Sequence, residues 1–390
     1  ADSIELQLGR QHMVDDRVSR DTGSVQRDIE ANASTLKGFS AQFGRVIGES
    51  HHLGYGIEAY SDRVHSARRR QNIETGAVSP RSGRFPDGSQ MRSQALYLAN
   101  EWRPRAGLEL DAGLRYSRFE IRLPTTVDAP GVSLRPDDLS GHLGAVFEVG
   151  DGLRVVGNFG RGFRPPNVFD LGQFGERPGN RFSIPNPALR PETVQTLDMG
   201  LKLARGPWQG EWMLFQSRYR ERISSVLTGE RTPEGRLVVQ AQNIVELSLR
   251  GAEAGFSFDD GGEFAARVSL TWTRGDERLQ GLQTPADRIP PVFGSASASW
   301  RIAPRTELEA WSQFAGRQGR LSPRDVLDPR INPEGTPGWA TFNLRLGYQP
   351  SAAVELALAL HNLGDIRYRE HGSGLDAPGR DLALSFDWRW

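Results

Sequence analysis

This 390-residue chain contains no cysteine, so disulfide frameworks, thiolate metal sites and thiol nucleophiles are excluded together. It also lacks any apolar run of about 18 residues. With 37% hydrophobic residues and a mean hydropathy of −0.51, it cannot cross a bilayer as a helix. Lysine is nearly missing: Lys37 and Lys202 are the only two, and arginine supplies the rest of the 48 basic residues. Those are balanced by 48 acidic residues, so no excess of one sign steers the chain toward nucleic acid. No H-E-x-x-H, P-loop or strand–G-x-S-x-G–helix context occurs, and Gly372-Ser373-Gly374 reads as a turn. No enzymatic activity, resident cofactor or bound metal is expected. Asp259-Asp260 and the pair Asp325 and Asp328 lack a regular ligand spacing and read as solvated turns. The seven histidines are dispersed. The chain opens at Ala1 with neither methionine nor signal peptide, so it is expected to be processed, trimmed or a fragment.

What is present is alternation. In Asp381 to Trp390, Leu382, Leu384, Phe386, Trp388 and Trp390 share one face and Asp381, Ala383, Ser385, Asp387 and Arg389 the other. Such a strand fits lipid outside and water inside. Val354, Leu356, Leu358 and Leu360 alternate with Glu355, Ala357, Ala359 and His361, and Phe264 to Trp272 behaves likewise. Segments of this kind recur at intervals of roughly 20 residues, which gives about sixteen strands.

Connection lengths add parity. Tight turns near Pro104-Arg105, Gly150-Asp151, Gly206-Pro207, Asp260-Gly261, Pro304-Arg305 and Pro350-Ser351 alternate with long polar loops, among them 14–33, 64–90, 163–191, 226–236, 318–338 and 366–376. Short periplasmic turns and long outer loops are the pattern of an outer-membrane barrel. The fold expected is therefore all-β, a transmembrane antiparallel β-barrel over 1–390, with outer-membrane lipid as solvent. Trp102, Trp208, Trp300, Trp339, Tyr348 and Trp388 are expected near the interfaces, and Arg267, Arg345, Arg389, Asp198 and Asp387 inside.

Several fragments carry a family resemblance. Asn362-Leu363-Gly364-Asp365-Ile366-Arg367-Tyr368 followed by Pro378-Gly379-Arg380, Gly162-Phe163-Arg164-Pro165-Pro166-Asn167, and Asn186-Pro187-Ala188-Leu189-Arg190-Pro191-Glu192 resemble segments of the TonB-dependent outer-membrane receptors, in family order. Arg250-Gly251-Ala252-Glu253 and Arg288-Ile289-Pro290-Pro291 resemble two more. The resemblance implies uptake of a scarce ligand of iron-siderophore, haem or cobalamin type across the outer membrane of a Gram-negative bacterium. Against a family-typical twenty-two strands, about sixteen are present. No plug domain is evident, so contact with the energising TonB complex would need one outside this sequence. The terminal strand with Phe386, Trp388 and Trp390 would engage the barrel-assembly machinery.

Phe163, Pro165, Pro166, Pro187, Leu189, Pro191 and Glu192 also read simply as loop architecture, because proline ends ladders. Arg164, Asn167, Phe174, Arg177 and Arg181 are the loop candidates for ligand contact, since guanidinium and aromatic groups suit an anionic or flat conjugated chelate. In haem-importing relatives a histidine lies between the loop motifs; none occurs between Phe163 and Leu189, which leaves His371 as a remote candidate ligand. A passive porin or a non-transporting binding barrel is the first alternative, and a soluble all-β protein the second.

Overall fold

A computed structural model describes residues 1–127, 130–177, 180–279 and 281–389, so the expected membrane-facing Trp390 lies outside the described residues. In chain order the elements are β1 (Ser3–Ser19), β2 (Gln26–Ile47), β3 (His51–Asn72), β4 (Val78–Arg81), β5 (Gln90–Arg105), β6 (Leu108–Leu123), β7 (Val132–Leu134), β8 (Asp137–Gly150) and β9 (Leu153–Arg164). There follow α1 (Val168–Gly172), β10 (Gly175–Arg177), β11 (Arg181–Ile184), β12 (Glu192–Arg205), β13 (Trp208–Arg231), β14 (Leu237–Asp259), β15 (Phe264–Leu279) and β16 (Leu282–Pro285). The last are β17 (Phe293–Ala303), β18 (Thr306–Ala315), α2 (Pro323–Val326), β19 (Trp339–Ser351), β20 (Val354–His361) and β21 (Asp381–Trp388). Among the described residues no helix is long and apolar enough to cross a membrane. Among the described residues, five strands, β4, β7, β10, β11 and β16, have four residues or fewer and sit inside long connections; the other sixteen match the sixteen anticipated from alternation.

The chain divides into two compact units. The first holds residues 1–144, 159–195 and 219–246, and the second holds 145–158, 196–218 and 247–390. In the first, β1, β2, β3, β5 and β6 form consecutive antiparallel ladders. Register aligns Ile4 with Phe43, Phe43 with Tyr55, Tyr55 with Leu98 and Leu98 with Leu114, so one apolar row crosses five strands. In the second, a row runs through Phe264, Trp300, Leu308, Leu346, Leu358 and Leu384.

These apolar rows point outward. Leu98 is 50% exposed, Leu114 59% and Leu384 78%, whereas Asp28, Glu30, Asn32, Ser66, Thr341 and Asn343 are buried. A sheet in water buries its apolar face and exposes its polar one; here the order is inverted, as lipid outside requires. Trp102, Trp208, Trp300, Tyr348 and Trp388 are exposed as expected for interfacial rings. Trp339 instead packs on Tyr368, with ring centroids 4.1 Å apart.

The tight turns fall where anticipated. Gly107, Gly152 and Gly206 supply positive φ at three of them, and the Asp260 carboxylate accepts from the amides of Gly262, Glu263 and Phe264. The long loops are shorter than the sequence suggests. The expected loop 14–33 shrinks to residues 20–25 and 226–236 to 232–236, because β1, β2 and β13 continue well past the strand ends expected from alternation. Beyond the lipid band both faces of a strand meet water, so the ladder persists while its apolar signature disappears. Asp325 and Asp328, expected as solvated turn residues, are 1% and 4% exposed, a correction whose cause is the arginine network described below.

Candidate functional site

The outer connections of the first unit enclose a cavity of about 1520 Å³. Its wall carries seven arginines and six carboxylates, together with Phe85, Phe174 and Phe182. The long strands β2 and β3 raise the first charged group. Asp28 accepts from Arg70 at 2.8 and 2.9 Å and also pairs with Arg68, whose Nε lies 3.7 Å from Glu30. Arg236 lies 3.3 Å from Glu176 and 3.5 Å from Asp21. These cations are compensated.

Arg177 is not compensated in this way. It ends the three-residue β10, half-buried, and among the described residues its Nη1 reaches only hydroxyls, Ser225 at 3.3 Å and Ser183 at 3.5 Å. Its guanidinium lies 5.8 Å from the Phe169 ring centroid, Phe169 packs on Phe85, and Arg84 lies 5.5 Å from the Phe85 centroid. Burial, and then the charges of Arg181 and Arg84, pull the Arg177 pKa below the ordinary arginine value. The group keeps its proton regardless, so an anion that shared this site would relieve both the desolvation and the repulsion. Phe174 meets Phe182 edge-on at 5.2 Å. Guanidinium groups interleaved with aromatic faces suit a negatively charged, conjugated ligand.

Of the sequence candidates, Phe174 and Arg177 line the cavity. Arg181 does not line it, but stands opposite Arg177 in the β10–β11 hairpin. Arg164 and Asn167 are engaged structurally. Asn167 caps α1 by accepting from the Asp170 amide at 2.9 Å, with Asp170 returning the bond, and Arg164 bridges Asp170 at 2.7 Å and Glu192 at 2.6 Å. The second Glu192 oxygen takes the Ile223 amide. Asn186 donates to the Ala241 carbonyl, and Leu189 packs with Leu171, Val168 and Ile121 in the loop core. The prolines and Phe163, whose ring packs on Phe119, thus belong to a stitched connection: the two motifs hold each other and seat β10 and β11, with β11 lying parallel to the start of β14.

The third motif is likewise architecture. Asn362, at φ 48, bonds through its side chain to Ile366 and to the carbonyl of Pro378; Asp365 accepts the Arg380 amide at 2.8 Å. A Cβ on Gly379 would stand 2.7 Å from that Asp365 oxygen, which explains glycine there. Tyr368 packs on Trp339. His371 belongs to the second unit. Arg68, Arg70, Arg84, Phe85 and Phe169 were not singled out from sequence, although the run Arg68-Arg69-Arg70 was a visible signal.

A fold in which strands turn apolar residues outward, with a charged, aromatic-lined cavity among the long connections of the first unit, is of the outer-membrane β-barrel type. The family model "TonB dependent receptor-like, beta-barrel" matches residues 6–363, and the chain belongs to that family. A hemin receptor of Yersinia pestis is 21% identical over 362 residues, 87% of this chain and 48% of that protein. Among solved structures, the copper transporter OprC aligns with a TM-score of 0.80 at 16% identity, covering 99% of this chain and 62% of that one. The ferric citrate transporter FecA aligns at 0.74 and 16%, covering 99% and 58%. The chain therefore spans about half the length of the curated relative it matches. Members of the family are transport receptors of the Gram-negative outer membrane rather than enzymes.

Proposed function

We propose that this chain is the barrel portion of an outer-membrane receptor that captures a scarce, anionic, conjugated chelate of the iron-siderophore or haem type and, in the intact receptor, imports it with energy from TonB. The observation that carries this reading is the half-buried Arg177, held by hydroxyls and an aromatic ring with no carboxylate contact among the described residues. Arg177, Phe174 and Arg181 are assigned to ligand capture, and Arg164 and Asn167 to building the loop that presents them. The chain would reside in the outer membrane, inserted through a terminal strand suited to the barrel-assembly machinery. Hemin, ferric citrate and the uncharged-face control cyanocobalamin, titrated against the full chain in detergent micelles by tryptophan quenching, test it. One of the anionic chelates should bind, and Arg177→Ala should weaken it about tenfold or more, the scale of a lost charge-assisted contact. Failure of both to bind, with steady conductance in planar bilayers, would replace this reading by a passive pore.

A further inference from the structure

Three connections of the second unit meet around His371: residues 286–292, 316–338 and 362–380. His371 Nδ1 lies 2.9 Å from Thr336 Oγ1, while its Nε2 is buried with no hydrogen-bond partner among the described residues. Arg288 donates from Nη1 to the Gly372 carbonyl at 2.9 Å, pairs with Asp328, and places Nε 3.6 Å from Asp325 Oδ1. Arg330 also grips Asp328, at 2.8 Å. Gln318 ties the second connection to the first through the Ile289 carbonyl, and Ser322 reaches Asp287 at 3.3 Å. The last loop is thus fastened at two adjacent residues, His371 and Gly372, by groups from both neighbouring connections.

Whichever tautomer is present, the second ring nitrogen stays unpartnered, so a proton taken up there creates a cation in a buried place already holding Arg288. The carboxylates facing it already stand beside arginines, although Asp325 Oδ1 has no hydrogen-bond partner of its own among the described residues. Asp328 is shared by two arginines, Asp325 has Arg288 beside it, and Asp287 faces Arg324 at 3.6 Å. On its own loop, Asp376 pairs with Arg367 and Arg369. We propose that His371 is an acid-released latch: its neutral imidazole lets the last loop dock on the two neighbouring connections, and protonation frees that loop.

The direction of titration supports this. Burial, opposed by Asp325 and aided by Arg288, lowers the His371 pKa from its ordinary 6.5. A base whose docked pKa is depressed binds fewer protons docked than free, so docking is intact above the free value and weakens as pH falls below it. Asp328, held down first by Arg330, and Asp376, held down first by Arg369, stay ionised through that window. Any change there reports the imidazole.

The test is hydrogen–deuterium exchange of the full chain in detergent micelles at about pH 7.5 and about pH 5.5, with rates normalised for intrinsic chemistry. If the docked loop takes no proton at the lower pH, exchange in peptides spanning 366–380 rises by up to about tenfold. His371→Asn, which can still bond Thr336 but does not titrate, should abolish that rise; Arg288→Ala should open the loop at both values. Equal protection of the wild type at both pH values, or an undiminished acid response in His371→Asn, overturns the latch. Should that variant fail to fold, the ring ¹⁵N titration of the wild type decides: a midpoint below 6.5 supports the latch, and one at or above it sinks the idea.

Discussion

Placing arginine at Leu98 tests the inverted orientation directly. Leu98 is 50% exposed in β5, facing Tyr55 and Leu114 across its two ladders in the middle of the outward row. If that face meets hydrocarbon near the bilayer centre, Leu98→Arg costs about 2–4 kcal/mol; if it meets water, an exposed substitution stays within about 0.5 kcal/mol. At about 3 kcal/mol the folded-to-unfolded ratio falls by roughly 150-fold. The control is Glu101→Lys, a charge change on the same strand where Glu101 lines a water-accessible cavity among the described residues. Both proteins would be refolded into phosphatidylcholine vesicles and unfolded with urea, following the shift of the heat-modifiable band on gels. A cost below about 1 kcal/mol for Leu98→Arg would refute the lipid-facing assignment, as would an equal loss for Glu101→Lys.

Asp28→Asn leaves Arg68 and Arg70 without their shared carboxylate. Breaking a largely buried pair costs on the order of 3 kcal/mol, seen as faster exchange in the outer ends of β2 and β3, and the uncovered cations should tighten binding of any anionic chelate. Asn362→Ala removes a side chain that closes the 362–380 loop at positive φ. That loop should loosen by about 2–3 kcal/mol while the ladders keep their protection. Asp328, held well below the ordinary 3.8 by Arg330 first, contributes stability that is fully present above 3.8 and lost progressively as pH falls from there toward its docked value. In the His371→Asn background, protection of 327–338 should therefore persist to about pH 4 and fail below it.

Alternation made the sixteen long strands legible because the lipid contrast acts on every second residue, and turn chemistry at Gly107, Gly152 and Asp260 fixed the short connections. The signal fades where that contrast ends. β2 runs on to Gln26 with Asp28, Glu30 and Asn32 on one face and only Ile29, Ala31 and Ala33 beside Arg27 on the other, too weak an apolar row to mark a strand by itself. The motif residues were legible as a group, but their roles were not, since Arg164 and Arg177 look alike in sequence. What separates them is the partners the fold brings to each: Asp170 nearby and Glu192 from 28 residues on neutralise one, while the other meets Phe169 and, from 48 residues on, Ser225. The same logic misled at Asp325 and Asp328, where an apparent surface turn is buried because Arg288, some forty residues earlier in sequence, supplies the countercharge. In this fold the strands are written locally by solvent, whereas the loops are written by charge pairing across connections. A mutation that leaves every alternating residue intact can therefore still dismantle the loop end, and Arg177, without a carboxylate contact among the described residues, is where the proposed capture of an outside anion would be felt.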